Sequence, residues 1–331
     1  MKVRHSFCGI SIFLFAILIW QGGKCMVQVS RELRDGVDVE RCGTIRSLGL
    51  TEEDMLALIY GKEDIPGFEC VPHPYSGSHT VIRLDVGGDK PGSGNKGMYS
   101  KIARWWTGID NRRVKIYAEC TVTPSEQAAD SWLKMILDPI ASSGAINFRQ
   151  GSFSGLPLGD NCWRNPPFNT LFFTVGRVGV IVQIFGPSEA NGLFAEALGV
   201  GIEYLIRLHP KRLVETSKPI TVLVANQPVA QGKAISLSGV TVVPISALEP
   251  ARVTLKTNRT SKEWVVTATR NGRWVKVKAF SWEMETGRGK VKLERPVFPD
   301  KGELIVPLRQ VAEALGIAVH QKGQTIALLP K

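Results

Sequence analysis

Residues 303–316, Glu-Leu-Ile-Val-Pro-Leu-Arg-Gln-Val-Ala-Glu-Ala-Leu-Gly, leave the backbone few choices. Leu304 to Val306 reads as a strand end. Pro307 suits a first helical turn, where its missing N–H costs nothing. Leu308, Val311, Ala312 and Leu315 fall at i, i+3, i+4 and i+7, one apolar helix face. Gly316 is placed to end that helix in the left-handed conformation. Ile317 to Val319 starts a strand, residues 321–324 turn it, and residues 325–329 return. An echo lies 63 residues upstream, where Val243-Pro244-Ile245-Ser246-Ala247-Leu248 repeats the strand-Pro-helix start. Pro228-Val229 and Pro296-Val297 precede the two copies at similar distances, so the pattern predicts two half-modules.

The rest of the chain differs from this repeat. Residues 218–331 hold 18 of the 41 Lys/Arg but only 8 of the 30 Asp/Glu, so the formal charge of +11 sits almost wholly in this last third. All six cysteines fall before residue 163. The composition shifts near His209-Pro210-Lys211-Arg212, placing a boundary at 213–219 between a domain over 26–212 and another over 218–331. At 331 residues, 44% hydrophobic, 21% charged and zero mean hydropathy, the chain is no fibrous, wholly disordered or multi-span membrane protein.

Residues 26–212 read as α+β. Thr51-Glu52-Glu53-Asp54 starts a helix over 51–61. Residues 80–86 and 113–122 alternate as strands, and Ser125 caps a helix over 126–140. Strands at 170–175 and 178–184 meet across Gly176-Arg177, and Ser188 to Leu208 is a long amphipathic helix. The fold class expected is α+β: an N-terminal antiparallel sheet with packed helices, followed by a mostly β module of two strand-Pro-helix-hairpin halves.

The N-terminus has the form of an export signal: Lys2 and Arg4, an apolar run from Ile10 to Trp20, then Gln21-Gly22-Gly23-Lys24. The run is shorter than the ~20 residues of a membrane span. A signal peptide over 1–25 is expected, placing the protein outside the cell or in the envelope; a retained N-terminal membrane anchor is the alternative. Lys24 and Gly22 do not suit lipidation at Cys25. In an exported chain Cys42, Cys70, Cys120 and Cys162 are candidates for disulfides, with three pairings open and buried free thiols as the alternative. There is no Cys-x-x-Cys and no His-x-His among His5, His73, His79, His209 and His320. No metal, cofactor or catalytic residue is expected.

Three motifs invite chemistry and fail on inspection. Gly92-Ser93-Gly94-Asn95-Lys96-Gly97 fits G-x-G-x-x-G, with a helix from Met98 to Trp106 as its possible sequel. The lengthened loop before it and the export signal read instead as a surface loop. Phe153 occupies the centre of Gly151-Ser152-Phe153-Ser154-Gly155, where a nucleophile elbow needs Ser. Trp105 and Trp106, as adjacent residues, face different ways, so one belongs to the core.

The binding candidates lie in the basic third. Residues 264–280 read as a hairpin with Asn271-Gly272 as a type I′ turn. Trp274, Lys276 and Lys278 share a face opposite Val275, Val277 and Ala279, and Lys290 and Lys292 alternate similarly. Arg273, Trp274, Lys276, Lys278, Lys290 and Lys292 are the predicted binding set, for an anionic cell-wall polymer or membrane surface. The bland reading is a solvated sheet face with edge lysines. A protein partner or self-association is the other expectation, and export argues against nucleic acid.

Two resemblances follow from these residues. Residues 306–316, with the upstream copy, resemble the hallmark of the copper amine oxidase-like N-terminal (stalk) domain, over about residues 218–330. Asn226-Gln227 and Ser246 depart from that hallmark in the first copy. The resemblance implies an add-on module for attachment or self-association, without the copper ligands of the catalytic domain. Asp64-Ile65-Pro66-Gly67-Phe68 and Gly159-Asp160-Asn161-Cys162 give residues 50–210 a fainter resemblance to secreted PsbP-like α+β domains, which implies a binding or accessory role. The function expected is an exported, non-enzymatic envelope protein attaching through a basic face. The alternatives are a small-ligand or partner-binding accessory module using the N-terminal domain, and an enzyme with an unrecognised site.

Overall fold

The computed structural model describes residues 28–34, 36–43, 47–72, 77–86, 99–142, 148–186, 191–215, 220–230 and 232–330. The expected signal over 1–25, His73, the Gly92–Gly97 loop and residues 216–219 of the expected boundary lie outside these.

The first part of the chain forms β1 (Gln28–Arg34), β2 (Val37–Gly43), α1 (Glu52–Leu56), β3 (Phe68–Val71), β4 (Thr80–Val86), β5 (Tyr99–Gly108) and β6 (Lys115–Val122). It continues through α2 (Glu126–Ser142), β7 (Arg149–Gln150), β8 (Asn161–Asn165), β9 (Thr170–Val175), β10 (Val178–Phe185) and α3 (Asn191–Arg207). Its strands make one ten-stranded sheet in the order β1-β2-β4-β5-β6-β10-β9-β8-β7, with β3 added on β5.

The expected fold class is corrected here. The structure is 46% strand and 20% helix, a mostly β molecule with four sheets rather than α+β with packed helices. Nor is the N-terminal sheet purely antiparallel, because β2 pairs with β4 in parallel. The expected helix at 98–106 is instead strand β5, which puts Trp106 in the core and Trp105 on the opposite face. The helix expected over 51–61 stops after Leu56, although its Thr51–Asp54 capping box forms on both sides.

The two long helices take different faces of the sheet. From α2, Leu133 and Leu137 meet Phe172 of β9, and the Trp132 ring lies on Gly179, where a Cβ would have no room. Helix α3 is buried on almost every side, and such a helix must be covered on more than one face. One side packs on β9 and β10; the other meets the second part of the chain. Tyr204 of α3 donates from Oη to the Lys233 carbonyl at 3.0 Å, and its ring lies 5.2 Å from that of Phe298. Phe194 and Tyr60 both meet Phe280 edge-on, at 5.5 and 5.4 Å. One apolar core therefore runs from Val39 to Leu328 through α3. No helix among the described residues is long and apolar enough to cross a membrane.

The second part forms β11 (Thr221–Val224), β12 (Gln227–Val229), β13 (Ile235–Leu237), β14 (Val240–Pro244), β15 (Thr254–Arg259), β16 (Trp264–Arg270) and β17 (Arg273–Lys278). Next come β18 (Glu283–Thr286), β19 (Gly289–Lys292), β20 (Phe298–Asp300), β21 (Glu303–Pro307), α4 (Leu308–Ala314), β22 (Ile317–Lys322) and β23 (Thr325–Pro330). The echoed strands β14 and β21 lie side by side, with Val243 opposite Val306. The copies then diverge. After β21 comes α4 and the β22–β23 hairpin; after β14 comes a 3-10 helix, Ile245–Ala251, containing Pro250. Proline removes an N–H from such a turn and limits its extension. A five-stranded meander, β15 to β19, follows that first copy in place of a hairpin.

Candidate functional site

The meander carries the predicted binding set. Asn271 and Gly272 both take positive φ, 47° and 73°, as a type I′ turn requires, and join β16 to β17. From there alternation sorts the side chains. Trp274, Lys276 and Lys278 point outward beside Thr269, Thr267 and Val265, while Val275 and Val277 enter the core. Lys290 and Lys292 continue the outer face on β19, opposite Glu285 and Glu283.

This face is a ladder of both signs. Lys276 reaches Glu285 at 3.5 Å, Lys278 reaches Glu263 at 3.1 Å, and Lys290 reaches Glu283 at 3.6 Å. The alternating lysines were visible in the sequence; that Glu283 and Glu285 of β18, and Glu263 ahead of β16, would stand against them was not. Trp274 is 37% exposed, with its indole beside the Gly287 turn.

Arg273 is separated from this set. It stands opposite Arg270 across the turn, on the inner face. Arg270 is buried and donates from Nε to the Ala251 carbonyl at 3.0 Å, and from Nη1 to the carbonyls of Leu315 and Gly316 at 3.4 and 3.2 Å. These are the last carbonyls after α4, which a cation suits. Arg273 is exposed and lies over Gly316, whose φ is +74°; a Cβ there would come within 2.7 Å of Nη1. The two arginines, Asn271, Glu313 and residues 315–318 line an open cavity of about 450 Å³.

A second polar cluster lies on the first sheet, and no motif announced it. Tyr117 donates its hydroxyl to Glu119 Oε2, Thr121 bonds Glu119 Oε1 at 3.2 Å, and Lys101 pairs with Oε2 at 3.1 Å. The Trp105 and Tyr117 rings meet at 4.5 Å between centroids, tilted by 40°. Burial, then the Glu119 charge, push the Tyr117 phenol well up, so it remains a donor. The signal was the alternation of 101–105 and 117–121, legible once β5 and β6 are known to pair.

The disulfide expectation is not met among the described cysteines: Cys70, Cys120 and Cys162 are free thiols on three different strands. Burial raises all three, and Cys162, with Glu196 and Glu203 nearby, is pushed up to about 12. The Cys42 side chain lies outside the described residues.

The comparisons with known proteins bear on the module that holds the meander. Residues 222–328 match the copper amine oxidase N-terminal domain. The match takes in β11 to β23, about a third of the chain, and agrees with the resemblance read from residues 306–316. A copper amine oxidase N-terminal domain is a non-catalytic accessory domain. No curated protein and no solved structure matches the chain.

Proposed function

We propose that this is an exported, non-enzymatic protein of the cell envelope, whose copper amine oxidase N-terminal domain mediates attachment to an anionic polymer or membrane surface. The observation that carries the reading is the match of residues 222–328 to a non-catalytic accessory domain. The charge distribution supports it, since residues 218–331, which contain that stretch, hold 18 Lys/Arg against 8 Asp/Glu. The outer face of the meander contributes Trp274 and Lys292 together with the Lys/Glu ladder. Because Lys276, Lys278 and Lys290 already face carboxylates, their contribution is weak singly and screened by salt. The chain divides at 213–219 into a sheet unit and this module, with α3 holding the two together. Fractionation of the cells that make it tests the reading: the chain is expected in the envelope fraction and released by high salt. Recovery in the cytosol contradicts export and attachment together.

The Trp105–Tyr117–Glu119–Lys101 cluster favours a second reading, in which the first sheet binds a small polar ligand. Such a ligand would quench Trp105 fluorescence, and Glu119→Gln would remove the effect.

A further inference from the structure

We infer that the outer face of the β15–β19 meander is a seat for an acidic polysaccharide, one whose carboxylates are spaced along the chain with hydroxyls between them. This rests on the attachment reading and deepens it by choosing among its anionic surfaces.

A single row of side chains crosses all five strands. Lys256 of β15 stands opposite Thr267 of β16, Thr267 opposite Lys276 of β17, Lys276 opposite Glu285 of β18, and Glu285 opposite Lys290 of β19. Lysines therefore fall on every second strand. Neighbouring strands lie about 4.8 Å apart, so these lysines repeat at about 10 Å. That matches the length of one disaccharide in an extended glycan. Between the lysines the face offers Thr267 and Glu285, which accept from hydroxyls. The next row repeats the alternation on β18 and β19, with Glu283 opposite Lys292. The Lys256 and Lys292 side chains have no ion pair with any described residue. Lys276 and Lys290 make exposed pairs with Glu285 and Glu283, at 3.5 and 3.6 Å, which a ligand carboxylate can share at little cost.

Trp274 flanks the row. It lies two residues from Lys276 on the same face, 37% exposed, with Gly287 leaving room beside its indole. The electron-rich face of an indole accepts the C–H side of a sugar ring as it does a cation.

Two other surfaces fit this face less well. A membrane calls for an apolar band beside the cations. The meander's other large exposed hydrophobic among the described residues, Val291, pairs with buried Met284 and points to the opposite face. A polymer charged at every unit would meet Glu285 and Glu283 between the lysines, and like charges brought together repel. The glutamates thus discriminate in favour of spaced carboxylates rather than charge alone.

The test titrates the full chain with hyaluronan oligosaccharides, which carry one carboxylate per disaccharide, and with oligogalacturonate, which carries one per sugar. Tryptophan fluorescence and calorimetry follow binding, and phosphatidylglycerol vesicles are the third probe. Hyaluronan is expected to bind saturably and more tightly than oligogalacturonate of equal length, with the vesicles unbound. Trp274→Ala should weaken hyaluronan binding at least about fivefold, as for an aromatic anchor of a contact. Lys256→Gln should weaken it more than Lys115→Gln, an equal charge loss at an exposed position of the first sheet. Glu285→Gln should narrow the preference over oligogalacturonate by removing a repulsive group. Absence of hyaluronan binding, tighter binding of oligogalacturonate, vesicle binding in place of glycan binding, or equal losses in Lys256→Gln and Lys115→Gln overturns the assignment. Attachment itself fails only if the chain does not sediment with envelope material, so the two failures are distinct.

Discussion

Glu196 and Glu203 of α3 are completely buried. Glu196 accepts from Ser154 N at 2.7 Å and from the Ser154 hydroxyl, yet burial still raises its pKa. An acid whose folded pKa is raised binds its proton more tightly in the folded state. Its stabilising effect is therefore full below the ordinary carboxylate range and is lost as pH rises through the folded value. Glu196→Gln should then gain stability relative to the parent as pH rises from about 4 to 8. Denaturant melts across that range check this, and a relative loss with rising pH contradicts it. Gly201 gives a steric prediction. A Cβ there would run into the Tyr60 hydroxyl, so Gly201→Ala should cost about 1–3 kcal/mol, measured by denaturant melts. Neither residue was legible in the sequence. Residues 188–208 read as an amphipathic helix, but the groups that meet the Glu196 and Glu203 carboxylates, Ser154 and the Gly159 N–H, lie 42 and 44 residues away in sequence.

At the level of elements, local signals were read well and pairings poorly. The Pro307-to-Gly316 helix, the Asn271-Gly272 turn and strands β4, β9 and β10 all follow from short-range chemistry. The Met98–Trp106 segment was misread because a strand of ten residues covered on both faces loses clean alternation. The basic face was read correctly as an alternation and incompletely as an electrostatic surface, since β18 supplies Glu283 and Glu285 and the residue before β16 supplies Glu263. That pairing makes a prediction. Lys276→Glu places a carboxylate against Glu285 on the neighbouring strand, which should destabilise by about 0.2–1 kcal/mol in low salt, less in high salt. A salt-independent loss in thermal melts would contradict an electrostatic origin. Gly316→Ala should cost more, because it meets both a left-handed φ and the Arg273 guanidinium.

For the whole molecule, composition singled out the basic last third, which holds the matched domain over 222–328, but missed how the parts share a core. Expecting α+β weighted the helical segments, 20% of the structure, over many short strands. Helix α3 joins the sheet unit to the module through Tyr204, Phe194 and their partners Phe298 and Phe280. The chain should accordingly melt in one cooperative transition, and two separate calorimetric transitions would contradict a shared core. The role proposed for this module is to hold the chain to an anionic surface. Co-sedimentation of the purified full chain with isolated envelope material across a salt series tests it most directly. Binding that falls steeply with salt, and falls further when Arg273, Lys278, Lys290 and Lys292 are changed to Glu, is the predicted result. No binding even at low salt, or binding indifferent to salt and to those changes, would contradict it.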